Sequence, residues 1–94
     1  MPALFIQHTV QDFDKWKVAF DADEENRKNL GSQGGFLWRG TDDQNVVSVL
    51  LNWDSVDNIK KFMESPELKE KMEEAGVTGK PIVYFLEEVS KQAA

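Results

Sequence analysis

Three stretches of this sequence alternate with the period of a β-strand, and each carries large apolar side chains on both of its faces. Ala3 to Val10 places Leu4, Ile6, His8 and Val10 on one side and Ala3, Phe5, Gln7 and Thr9 on the other. Val46 to Trp53, the most β-branched segment, sets Val47, Val49, Leu51 and Trp53 against Val46, Ser48, Leu50 and Asn52. Pro81 to Glu88 sets Ile82, Tyr84 and Leu86 against Val83, Phe85 and Glu87. A strand that is apolar on both faces has to be covered twice, and that requirement limits what the chain can build.

Two helical patterns lie between these strands. Asp12 is placed to cap the first, which runs to about Asn29 with Phe13, Trp16, Phe20, Arg27 and Leu30 on one stripe and Asp14, Lys15, Asp21, Glu25 and Lys28 facing solvent. Gly31 suits its C-terminus, and Gly34-Gly35 interrupts before a further strand from about Phe36 to Gly40, with Phe36 and Trp38 opposite Leu37 and Arg39. The polar turn Thr41–Asn45 joins this strand to Val46–Trp53 as a hairpin. Asp54 or Ser55 caps the second helical pattern, with Val56, Ile59, Phe62 and Met63 inward; Ser65-Pro66-Glu67 restarts it, and Leu68, Met72 and Ala75 extend the stripe to Gly76. A loop, Val77–Lys80, leads into the last strand, and Ser90–Ala94 forms a frayed tail.

The order β-α-β-β-α-β predicts a ferredoxin-like α+β fold, one domain over residues 1–94, with a four-stranded antiparallel sheet and two helices on one face. Two helices cover only one face, so the other needs a partner, and a second copy of the chain in a homodimer supplies it most simply. The size of the chain argues the same way, because 94 residues make a small core and neither disulfide nor metal is on hand to reinforce it.

Composition works by exclusion. Eleven Lys and Arg against 17 Asp and Glu leave a net charge of −6, which repels nucleic acid and acidic membrane surfaces. No apolar run reaches the roughly 18 residues of a membrane span, and Met1-Pro2-Ala3-Leu4 lacks the basic start of a signal peptide, so the expected location is cytoplasmic. Zero cysteines remove thiolate chemistry, and a single histidine removes every metal site that needs two. Asp42-Asp43 with Asn45 does not match a calcium loop, the glycines do not spell a nucleotide fingerprint, and no serine sits in a Gly-x-Ser-x-Gly context.

His8 is then the most suggestive residue, an imidazole on an apolar strand face that serves either as a proton acceptor or as a hydrogen-bonded strand histidine. Six Phe, three Trp and one Tyr are many aromatics for this length. Trp16, Trp38, Trp53, Phe62 and Tyr84 could wall a pocket for a small apolar or aromatic molecule, or simply fill the core. Arg39 could orient a carboxylate or enolate, or pair with Asp42 or Asp43 in the adjoining turn.

The strings His8-Thr9-Val10-Gln11-Asp12-Phe13-Asp14-Lys15-Trp16-Lys17, Phe20-Asp21, Arg39 to Val47, Trp53-Asp54, Ser65-Pro66-Glu67-Leu68 and Ala75 to Pro81 resemble small bacterial proteins of the dimeric α/β-barrel superfamily. Over nearly the whole chain the sequence is similar to the antibiotic biosynthesis monooxygenase group, some of whose members are labelled cyclases. The resemblance implies a homodimer whose sheets form a barrel, with a pocket between sheet and helices in each subunit. Gln44 departs from the proline common in that hairpin. Where the haem-degrading members of the superfamily carry a tryptophan and a haem-ligating histidine, this chain has Phe62 and Met72, which argues against haem; no cofactor and no metal is expected. The quinone-forming monooxygenases use Asn, Trp and Arg, and Asn52, Trp38 and Arg39 are present as residue types. In an enzyme of that kind His8 would accept a proton, Arg39 would stabilise an oxyanion, the tryptophans would form walls, and dioxygen would react directly with the activated substrate. The alternative is a non-catalytic ligand-binding or interaction module in which His8 and Arg39 are structural.

Overall fold

The computed structural model describes every residue from Met1 to Ala94. Strands β1 (Pro2–Val10), β2 (Ser32–Arg39), β3 (Val46–Trp53) and β4 (Val77–Glu87) form one antiparallel sheet in the order β2-β3-β1-β4. Helices α1 (Phe13–Ala22) and α2 (Glu24–Leu30) connect β1 to β2, and α3 (Val56–Glu64) and α4 (Pro66–Glu74) connect β3 to β4. All four helices cover the same face, which makes this the expected ferredoxin-like α+β fold.

Local chemistry explains most of the boundaries. The Asp12 carboxylate accepts from the backbone N–H groups of Asp14 (3.0 Å) and Lys15 (3.3 Å), capping α1. Ser55 caps α3 by accepting from the Asn58 N–H at 3.1 Å, and Ser65 ends α3 in extended backbone so that Pro66 can open α4 at its first helical position. Three expectations are corrected. The first helical pattern is not one helix to Asn29 but breaks at Asp23 (φ −94°, ψ 4°), whose carboxylate is then free to serve cations on two elements. Gly34-Gly35 does not interrupt β2 but lies within it: Gly34 takes φ +83° at a shift in register, and Gly35 passes so close to β3 that a Cβ would overlap the Leu50 carbonyl oxygen. Val77–Lys80 is not a loop but the start of β4, pairing Val77 with Val10 and Thr78 with Thr9.

The core forms where the helix face of the central strands meets the helices. Leu4, Ile6 and Val10 of β1 and Val47, Val49, Leu51 and Trp53 of β3 pack against Trp16, Ile59, Phe62 and Ala75. Each such side chain contributes roughly 1.5–3 kcal/mol through burial. The opposite face has no cover. There the register lines up Phe36, Leu50, Phe5 and Tyr84 in one row across all four strands, and Trp38, Ser48, Gln7 and Ile82 in the next. Phe36, Trp38 and Tyr84 are 61%, 50% and 57% exposed, an apolar surface of the kind that soluble monomers seldom present. No helix is long and apolar enough to cross a membrane.

The close approach at Gly35 supplies a test of this register. Gly35→Ala forces β2 away from β3, and chemical denaturation should show a loss of about 2–3 kcal/mol. An unchanged midpoint would place β2 differently against Leu50.

Candidate functional site

His8 lies where the central strand meets an irregularity. Its Cα pairs with Val47 on β3, but on the β4 side the register jumps from Gln7 opposite Ile82 to Thr9 opposite Thr78. Gly79, Lys80 and Pro81 form the extra length of β4: Gly79 takes φ +68°, and Pro81 has no N–H to donate to a ladder. Bulges of this type re-aim side chains beside functional sites.

The imidazole itself is only 7% exposed, with the Trp16 ring edge-on at 5.4 Å between centroids. Its Nδ1 is sealed in the protein with no hydrogen-bond partner on another residue; the polar group that acts on the ring is His8's own backbone. Burial holds the His8 pKa below the usual imidazole value of 6.5, so the ring is neutral near pH 7.

His8 lines a cavity of about 490 Å³ between the sheet and the two helix pairs. Its floor is Ile6, Val49 and Leu51, and the helices contribute Trp16, Phe20, Phe62, Leu68 and Met72. Charged residues reach the lining only as Asp23, Arg27, Lys71 and Glu74. Trp16 and Phe20 stack at 4.9 Å, and the Arg27 guanidinium lies over the Phe20 ring at 3.9 Å, so an aromatic wall runs from His8 to Arg27. Arg27 is 7% exposed; its Nη1 donates to the Phe20 carbonyl at 2.7 Å, and burial lowers its pKa although the group stays charged. No group of three His, Cys, Asp or Glu side chains converges as a metal site would require.

No protein-family model matches the chain, and no curated protein matches it. Solved structures do. A candidate antibiotic biosynthesis monooxygenase from Bordetella bronchiseptica superposes with a TM-score of 0.79 at 17% identity, covering 95% of this chain and 97% of that one. SnoaB, a cofactor-independent oxygenase from Streptomyces nogalater, gives 0.71 at 14% identity over 98% and 94% of the two chains. A further candidate monooxygenase, from Caulobacter crescentus, gives 0.68 at 20% identity over 95% and 90%. This chain shares the ferredoxin-like fold of these proteins.

Within that fold the residues singled out from sequence fall in four places. His8, Trp16 and Phe62 line the cavity. Trp53 is fully buried behind it, tilted against Phe62 at 5.1 Å, and packs in the core instead of forming a wall. Trp38 and Tyr84 stand on the uncovered face of the sheet, because their strand parity turns them away from the helices. Arg39 shares the helix face and the cross-strand row of His8, with Val47 between them, but it lies over the Phe13 ring at 4.6 Å, outside the cavity lining. It does not pair with Asp42 or Asp43: the Asp43 carboxylate accepts instead from the Asn45 N–H at 3.0 Å. Arg27 carried no role in the sequence reading, although an arginine seven residues after Phe20 on an apolar stripe was the signal for it.

The depressed His8 pKa has a consequence for stability. A base that binds its proton less well in the folded state contributes stability in full above the unfolded-state pKa, and that contribution fades as pH falls. Unfolding free energy should therefore decline from about pH 6.5 downward, ahead of the carboxylates, and His8→Gln should flatten the profile between about pH 7 and 5.5. Denaturant titrations across that range would read it; parallel profiles for the two proteins would contradict it.

Proposed function

We propose that this chain is a homodimeric protein that takes a small, flat aromatic molecule into the cavity and oxidises it as a cofactor-independent monooxygenase, with His8 as proton acceptor. The observation that carries this reading is a buried imidazole in the wall of a cavity of about 490 Å³ whose lining is otherwise mainly apolar. That volume lies within the range of small-molecule sites. The fold shared with a cofactor-independent oxygenase supports the reaction class.

The chemistry follows from what the cavity offers. A neutral imidazole can take a proton only from an acidic site, such as the central CH₂ of an anthrone, whose carbanion is delocalised over the fused rings. The carbanion adds dioxygen and a proton to give a hydroperoxide, which loses water to leave a ketone. One O₂ is consumed and one water released as CH₂ becomes C=O. Trp16 and Phe20, stacked on each other, supply an aromatic side wall for such a ring, and Ile6, Val49 and Leu51 supply an apolar floor that disfavours water beside the anion.

The homodimer rests on the uncovered sheet face. Phe36, Trp38, Leu50, Phe5, Tyr84 and Ile82 lie together there, and two copies pairing face to face would cover the same rows on each other.

Two measurements test these statements. Oxygen uptake with anthrone should be catalysed and should fall by about 10²-fold or more in His8→Ala; binding of anthrone with no uptake would favour a non-catalytic binding module. Light scattering should give twice the 10.7 kDa chain mass, and the double variant Trp38→Asp, Tyr84→Asp should give the chain mass. An unaltered protein of 10.7 kDa would overturn the dimer.

A further inference from the structure

Arg27 is the one charged side chain in the buried set, and its electrostatic needs are only partly met within the protein. The hydrogen bond from Nη1 to the Phe20 carbonyl engages one of five N–H groups. Asp23, the nearest carboxylate, has Oδ2 at 4.0 Å, beyond hydrogen-bonding distance, while its Oδ1 accepts from the Lys71 ammonium at 2.8 Å. Asp21 and Glu24 act on Arg27 only through Coulomb attraction at longer range, so the one carboxylate near contact stands between two cations, and Glu74, the other acid of the lining, is exposed to solvent. A buried guanidinium is costly unless a paired and hydrogen-bonded anion meets it.

We infer that Arg27 anchors an anionic group of the cavity's ligand, so that an aromatic acid binds more tightly there than a neutral ring of the same size. The inference rests on the reading of the cavity as an aromatic-ligand site. The geometry orders the ligand as well. The stack His8, Trp16, Phe20, Arg27 is one continuous wall with an imidazole at one end and a guanidinium at the other. A ring system lying along it, with its carboxylate forked onto Arg27, presents its far edge to His8. The anion fixes register along the wall, so Arg27 selects which carbon or hydroxyl faces the proton acceptor. The competing role for Arg27 is structural: its bond to the Phe20 carbonyl, which also accepts from the Asp23 N–H at 3.3 Å, ties down the C-terminal turn of α1.

Paired probes separate these roles. Calorimetric titration of the intact protein with 1-hydroxy-2-naphthoate and with 1-naphthol, at a pH where only the first is ionised, should show the acid binding roughly tenfold or more tightly. Arg27→Met should erase that preference while leaving the affinity for 1-naphthol within about twofold, and Arg27→Lys should keep part of it. The comparison in the unaltered protein stands even if Arg27→Met fails to fold. Equal binding of the two probes by the unaltered protein, or a preference that survives in Arg27→Met, overturns the anchor while sparing the cavity. If neither naphthalene binds, the aromatic-ligand reading falls and the anchor with it.

Discussion

β1 is hydrogen-bonded on both sides, to β3 and to β4, and Leu4, Ile6, His8 and Val10 on its helix face are all buried. Such a position admits apolar groups freely and polar ones only at a cost. Leu4, Ile6 and Val10 meet that condition and anchor the core, while His8, in the same line, does not. Beside it β4 carries extra length at Gly79, Lys80 and Pro81, so the ladder skips His8 on that side. The irregular edge, the buried imidazole and the cavity meet at this departure from a regular sheet.

Around that departure the helices are arranged in two pairs that do not close over the sheet completely. α1 and α2 contribute Trp16, Phe20 and Arg27 to the cavity, α3 and α4 contribute Phe62, Leu68 and Met72, and the Lys71 to Asp23 ion pair joins the two sides. Asp23 is the residue between α1 and α2: there the Phe20 carbonyl accepts both from the Asp23 N–H at 3.3 Å and from Arg27 Nη1 at 2.7 Å, while the Asp23 carboxylate faces Arg27 one helical turn on and Lys71 of α4. The charges of the cavity wall thus meet at one residue.

Strand alternation made the elements and their order legible before any coordinates: parity separates Leu4 and Ile6 from Phe5, and Val47 and Val49 from Leu50, but with apolar groups on both faces it does not say which set of one strand shares a face with which set of the next. The pairing register settles that, and it puts Trp38 and Tyr84 on the face opposite His8, so aromatic character alone is no guide to the pocket. What sequence could not give was the consequence of irregular backbone. The two glycines of β2 and the Gly-Lys-Pro of β4 read as interruptions because glycine and proline usually are; here pairing with the neighbouring strand holds them in the sheet. Arg27 was visible as part of an apolar stripe, but its burial over Phe20 depends on the turn at Asp23, which no periodicity predicts.

The central claim is that His8 is a neutral imidazole at the wall of a ligand cavity, and the chain's single histidine makes it directly observable. Imidazole ¹⁵N resonances of the labelled protein, followed through pH with and without an aromatic probe such as 1-naphthol, would report on one residue with no assignment problem. The account predicts titration below the usual value of 6.5 in the free protein and a change in both nitrogen shifts when the probe is added. An imidazole that titrates at its ordinary value and ignores the probe would contradict it.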